Sequence, residues 1–149
     1  MTSRNRNREK GFTIIEIMVV IIILGILASI VGVKVIGHVE EARRTQAQVQ
    51  LETFKTALSS YRLHNSYYPT TEQGLQALVT PPTTGRLPKN YPEEGYLEKI
   101  PKDPWDNEYY YQSPGIHNSR SYDIWSYGAD NEEGGEGENA DINNWDTVE

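Results

Sequence analysis

Glu16 is the only ionisable residue between Ile14 and Val33, in a run that is otherwise almost wholly apolar. A carboxylate placed in hydrocarbon costs several kcal/mol unless a cation meets it, so an acid in such a segment is a functional residue by default. No Lys or Arg lies within the run to serve as its partner. Breaking the chain after Gly11 would create one, the new α-amino group of Phe12, four residues before Glu16. In a helical stack, that amine on one copy meets Glu16 on the next. The pair sets the axial register and neutralises both charges.

A second group of oxygen donors lies at the other end. Asp123 to Glu149 holds nine acids, Gly128, Gly134, Gly135 and Gly137, and no Lys or Arg. Composition leaves two readings open. One is an unstructured acidic tail, too polar to offset its ordering entropy. The other is an ion-binding loop, held at one end by Tyr127-Gly128-Ala129-Asp130 and at the other by Ile142 and Trp145. Calcium suits the second best, because it accepts many carboxylate and carbonyl oxygens in adaptable geometry. An EF-hand is excluded: counted from Asp130, its twelfth position is Asp141, where that loop needs Glu.

Other chemistry finds little footing. The chain has no Cys, so disulfides and thiolate chemistry are excluded. His38, His64 and His117 are scattered, and no nucleophile motif frames any Ser or Asp; we expect no catalytic residues and no enzyme. Residues 1–10 carry a net charge of +3, which leaves −10 for the rest of a chain whose total is −7. A basic start and an acidic body argue against nucleic acid as a partner.

The elements that position these residues emerge from periodicity. Twenty helical residues from Ile14 to Val33 rise about 30 Å, the thickness of a bilayer's hydrocarbon core. The basic residues before them hold the N-terminus on the cytoplasmic side. A cleavable secretory signal fits poorly, since the run is long and lacks a clear cleavage site at its far end. A simple signal anchor accounts for everything but Glu16. Gly25, Ala28, Ser29 and Gly32 are small enough to let helices approach closely.

Beyond the run, Ala47, Leu51, Phe54, Leu58 and Tyr61 form one apolar helical stripe. The polar faces carry Glu40, Arg43, Arg44, Gln48, Glu52, Lys55 and Arg62, read as solvated, with Glu40, Glu41, Arg43 and Arg44 available to pair between copies. Residues 65–69 end this helix. Thr70 and Gln73 fit a capping box for a short helix through Val79, stopped by Pro81-Pro82. An irregular loop spans 81–95. Aromatic-rich strands are expected over 108–112 and 122–127, with a third contribution near the C-terminus.

Two stretches carry a family resemblance. Lys10-Gly11-Phe12-Thr13-Ile14-Ile15-Glu16 resembles the prepilin-peptidase site shared by type IV pilins and type II secretion pseudopilins. That resemblance implies cleavage between Gly11 and Phe12, N-methylation of Phe12, and assembly through the apolar helix and Glu16. Tyr68-Pro69-Thr70-Thr71-Glu72-Gln73-Gly74-Leu75-Gln76-Ala77-Leu78, Asp103-Pro104-Trp105, and the run from Gly128-Ala129-Asp130 through Gly134-Gly135 to Ala140-Asp141-Ile142-Asn143-Asn144-Trp145 are similar to the general secretion pathway protein G family, the major pseudopilins of type II secretion.

The narrower resemblance implies a structural calcium. Asp130 and Asp141 match the family's acidic ligands; carbonyls of Tyr127 and Glu132 and an oxygen of Glu136 or Glu138 complete the expected set. Family members often carry a proline near position 33, where this chain has Val33.

The expected fold is α+β and type IV pilin-like: a long N-terminal helix, half transmembrane and half amphipathic, packed on a small antiparallel sheet with an ordered acidic loop. Its parts are a cleaved basic leader (1–11), a transmembrane and filament-core helix (12–36) and a periplasmic domain (37–149) with a calcium loop (127–146). The resemblance implies a homopolymer, the periplasmic pseudopilus, that drives folded proteins across the outer membrane. Implied partners are a prepilin peptidase, minor pseudopilins and an inner-membrane platform with a cytoplasmic ATPase. Two rivals stand beside it: a major type IV pilin for adhesion or motility, and a membrane-anchored calcium-binding module that does not polymerise.

Overall fold

The computed structural model describes residues 11–146, without the side chains of residues 30–37. The basic leader over 1–10, and the expectations for Gly32 and Val33 as side chains, lie outside the described residues. One long helix, α1 (Ile14–Asn65), runs without a break in its assignment past Val33. The chain divides into two units, one ending at His38 and the other starting at Val39.

In the first unit, every described apolar side chain from Phe12 to Leu27 is exposed, from Phe12 at 84% to Ile17 at 48%. A helix that is apolar all round has no face to give to water. It needs lipid or other helices around it. Among the described residues no helix is long and apolar enough to cross a membrane; the described apolar side chains stop at residue 29, inside the expected span of 12–36.

The second unit contains the sheet. Strands β1 (Tyr110–Gln112), β2 (Asp123–Ser126) and β3 (Ile142–Asn143) pair antiparallel in the order β1-β2-β3. Tyr111 lies opposite Ile124, and Ser126 opposite Ile142. Ile124 and Ile142 are buried with the α1 stripe of Ala47, Leu51, Phe54, Leu58 and Tyr61, as the spacing predicts. Phe54 meets Tyr109 edge-on at 5.1 Å between ring centroids. The expected strands are present but shorter, because flanking residues 108–109, 122 and 127 pair with no neighbour in register.

α1 ends as expected: Ser66 takes a φ of 68°, and a non-glycine residue there marks a chain reversal. The Thr70–Gln73 box forms in both directions, Thr70 N–H to Gln73 Oε1 at 3.0 Å and Gln73 N–H to Thr70 Oγ1 at 3.3 Å. The short helix expected after the box forms as turns followed by a 3-10 helix, Leu75–Leu78, with Val79 at its C-cap. Gly74, at φ 59°, and the proline pair leave too few residues to nucleate an α-helix. Gln73 instead spends its amide on the irregular loop, donating to the carbonyls of Thr84 at 2.7 Å and Arg86 at 3.1 Å.

Tyrosines dominate this core, and burial pushes the hydroxyls of Tyr61, Tyr109, Tyr111 and Tyr122 well above the ordinary tyrosine value. Their folded pKa values are raised, so the stability they contribute is intact below about pH 10 and falls as pH rises from there. Each one that stays protonated while its unfolded counterpart ionises costs about 1.4 kcal/mol per pH unit. An alkaline titration is therefore expected to show phenolate absorbance rising together with loss of circular dichroism in one cooperative step. Ionisation of all ten tyrosines with the fold intact would contradict it.

Candidate functional site: the helix start and the acidic loop

Glu16 is exposed, and its carboxylate turns back on the start of its own helix. Oε2 accepts the Thr13 N–H at 2.9 Å and the Thr13 hydroxyl at 2.9 Å, while Thr13 Oγ1 accepts the Glu16 N–H at 3.3 Å. Thr13 and Glu16 form a capping box, which satisfies backbone donors that a helix start leaves open. The apolar run marks Glu16 only as a charge seeking a cation; the Thr-x-x-Glu spacing is the signal in the sequence for the cap. Both bonds fall on one oxygen, so the cap and a second partner on the other oxygen are compatible.

The acidic loop is closed at its neck by one backbone and one side-chain hydrogen bond. Ala129 N–H donates to the Glu138 carbonyl at 3.0 Å, and the Asn107 amide donates to the Gly128 carbonyl at 3.0 Å. Gly128, at φ 73°, lies so close that a Cβ there would sit 2.8 Å from the Glu138 carbonyl oxygen. Asp141 reaches across the loop to the Gly134 N–H, at 3.2 and 3.1 Å for its two oxygens. Asp130 Oδ1 accepts the Glu132 N–H at 3.2 Å. Glu132, Glu136 and Glu138 are exposed to solvent, and the Tyr127 ring packs 4.8 Å from that of Tyr110. Among the described residues, no three His, Asp or Glu side chains are gathered so as to hold a metal ion. The available donors are all oxygens, which is the chemistry a hard divalent cation takes.

Some contacts leave no trace in the sequence. Arg44, on a face expected to be solvated, donates through Nη1 to the carbonyls of Gly137 at 2.8 Å and Ala140 at 3.0 Å, tying the loop to α1. Arg43 pairs within the chain, with Glu40 at 3.1 Å. Asp123, one of the nine acids of the tail, is buried and accepts the His117 N–H at 2.8 Å and both Asn118 donors at 2.9 and 3.1 Å. Asp103 is likewise buried and accepts the Trp105 and Asn107 N–H groups and the Ser126 hydroxyl.

Comparison with known proteins agrees with this architecture. Residues 6–32 match the prokaryotic N-terminal methylation motif, and residues 34–145 match the family described as type II secretion system, protein G. The type II secretion system core protein G of Vibrio cholerae is 49% identical over 142 residues, 95% of each chain. That of Pseudomonas aeruginosa is 48% identical over 141 residues, 95% of this chain and 98% of its own. A crystal structure of the major pseudopilin from the type 2 secretion system of enterohaemorrhagic Escherichia coli superposes with a TM-score of 0.64 at 40% identity, over 74% of this chain and 92% of that one.

A methylation motif on a long helix backed by a small antiparallel sheet defines a type IV pilin-like subunit, and the match to a solved major pseudopilin places it among the pseudopilins. The chain belongs to the type II secretion system protein G family. These matches favour secretion over the type IV pilin and over the non-polymerising calcium module.

Proposed function

We propose that the chain is the major structural subunit of a homopolymeric pseudopilus, without enzymatic activity of its own. A prepilin peptidase cleaves between Gly11 and Phe12 and methylates the new Phe12 amine. A platform in the inner membrane, driven by a cytoplasmic ATPase, adds subunits beneath minor pseudopilins at the tip. The chain is anchored once in the inner membrane, with the second unit in the periplasm. Growth of the polymer pushes folded proteins outward. The observation that carries this reading is the bare apolar surface from Phe12 to Leu27 with Glu16 as its one charge. Mass spectrometry of the mature chain is expected to show methylated Phe12 at the N-terminus. A chain that keeps its leader would overturn the proposal.

A structural calcium belongs to the same proposal. Asp130 and Asp141 would supply its carboxylates; the carbonyls of Tyr127 and Glu132 and an oxygen of Glu136 or Glu138 would supply the rest. Its chemistry would be neutralisation of a loop that holds no basic residue. At free calcium about 100 times its dissociation constant, binding adds about 2.7 kcal/mol. Chelation should then lower the melting temperature by roughly 10 °C in a domain of this size. Asp130→Ala is expected to remove the response. A melt unchanged by chelator would reject the ion.

A further inference from the structure

Three arginines converge on one shallow cleft of about 370 Å³ beside the C-terminal end of α1: Arg62, Arg86 and Arg120. Two of them are held by aromatic faces. The Arg86 guanidinium carbon lies 3.9 Å from the Tyr67 ring centroid, and that of Arg62 lies 5.1 Å from the Tyr68 centroid. The Tyr67 hydroxyl donates to the Arg86 carbonyl at 3.0 Å, and Arg62 donates to the Tyr68 hydroxyl at 3.3 Å. Stacking of this kind orients a guanidinium and leaves its N–H edge open to carboxylate. Arg43–Glu40, Lys55–Glu52 and Lys102–Asp106 are ion pairs among the described residues, and none of them involves Arg62, Arg86 or Arg120. Three guanidiniums in one cleft are unexpected in a chain of net charge −7.

The matching charge is on the same molecule but out of reach. Asp130, Glu132, Glu133, Glu136 and Glu138 lie on the acidic loop, which is fastened to α1 at Arg44. From Arg44 to Arg62, α1 rises about 27 Å. A cationic patch near one end of the domain and an anionic patch nearer the other cannot meet within one copy. They can meet head to tail between copies. A heterologous contact of that kind propagates into an open helical assembly when its rotation does not close.

We propose that the Arg62–Arg86–Arg120 cleft receives the acidic loop of a second copy of this chain. The inference rests on the polymer reading above and adds to it a contact between globular domains. One bound divalent cation would not abolish it, since five carboxylates exceed two charges. Complementary patches of this type select partner and register more than they add affinity.

The test uses the full chain. Reversing the cleft charge with Arg62→Glu and Arg120→Glu is expected to lower the yield of sheared filaments about tenfold. Adding Glu133→Lys, at the one loop acid of the five not placed among the calcium ligands, to the same chain should restore it in part. Because the native chain has no Cys, a chain with Arg120→Cys co-expressed with a chain carrying Glu133→Cys should give a disulfide dimer in oxidised filaments. Undiminished filaments after charge reversal, failure of the second reversal to restore them, or no cross-link in filaments that do form would each overturn the contact while leaving the polymer reading standing. Loss of secretion with filaments unchanged would assign the cleft to another partner and overturn it too. No filaments from the native chain would overturn both.

Discussion

Glu16→Ala is expected to abolish filament assembly and to leave the melting of the globular domain unchanged. The side chain holds two roles that one substitution removes together. It caps α1 through Thr13, and loss of a capping interaction costs about 1 kcal/mol. It is also the only charge on an apolar surface that must be covered by other copies or by lipid. Leaving the Phe12 amine of a neighbour unpaired there costs several kcal/mol per contact, and a polymer repeats that cost at every subunit. Glu16→Gln separates the roles. Glutamine retains an acceptor for the Thr13 N–H, so the helix start survives, while the charge pair is gone. Assembly should fail for Gln as it does for Ala. Normal filament yield from Glu16→Gln would show that the cap alone matters, and the proposed pairing between copies would have to be abandoned.

Asp123→Ala is expected to be the most damaging change to the second unit, and Asp103→Ala to come close behind it. Each carboxylate is buried and gathers three donors: for Asp123, those of His117 and Asn118; for Asp103, those of Trp105, Asn107 and Ser126. Removing such an acceptor strands several buried donors at once, at about 1–3 kcal/mol for each one left unsatisfied. The melting temperature should fall by roughly 10–20 °C in a domain of this size. Asp130→Ala in chelator, where the acid makes one backbone contact at the surface, serves as the matched control. Equal melting of the Asp123 and Asp130 variants in chelator would mean that the buried network contributes nothing beyond surface charge.

The two aspartates also show where a sequence stops being readable. The α1 stripe was legible because a helix brings residues three and four apart onto one face, and every member of it is buried. The strands were legible in place, though not in length, because aromatic residues mark them and pairing decides their ends. The Thr70–Gln73 box was legible as a pair of hydrogen bonds, and the short helix expected after it is present as a 3-10 helix. Asp123 is one more acid in a run of nine, and nothing local distinguishes it from Glu132. Its burial is decided by the turn through Gly115 to Asn118, which folds over it. Arg44 and the loop it holds are more than ninety residues apart in sequence, beyond the reach of any periodicity.

The clasp formed by Arg44 has a mechanical consequence. It rides on α1, not on the sheet, and it grips the segment that leads directly into β3, which meets β2 across only two residue pairs. The loop is thus tied to α1 directly, by two charge-assisted bonds that do not pass through that narrow seam. Arg44→Ala would leave the loop attached through its neck and β3 alone.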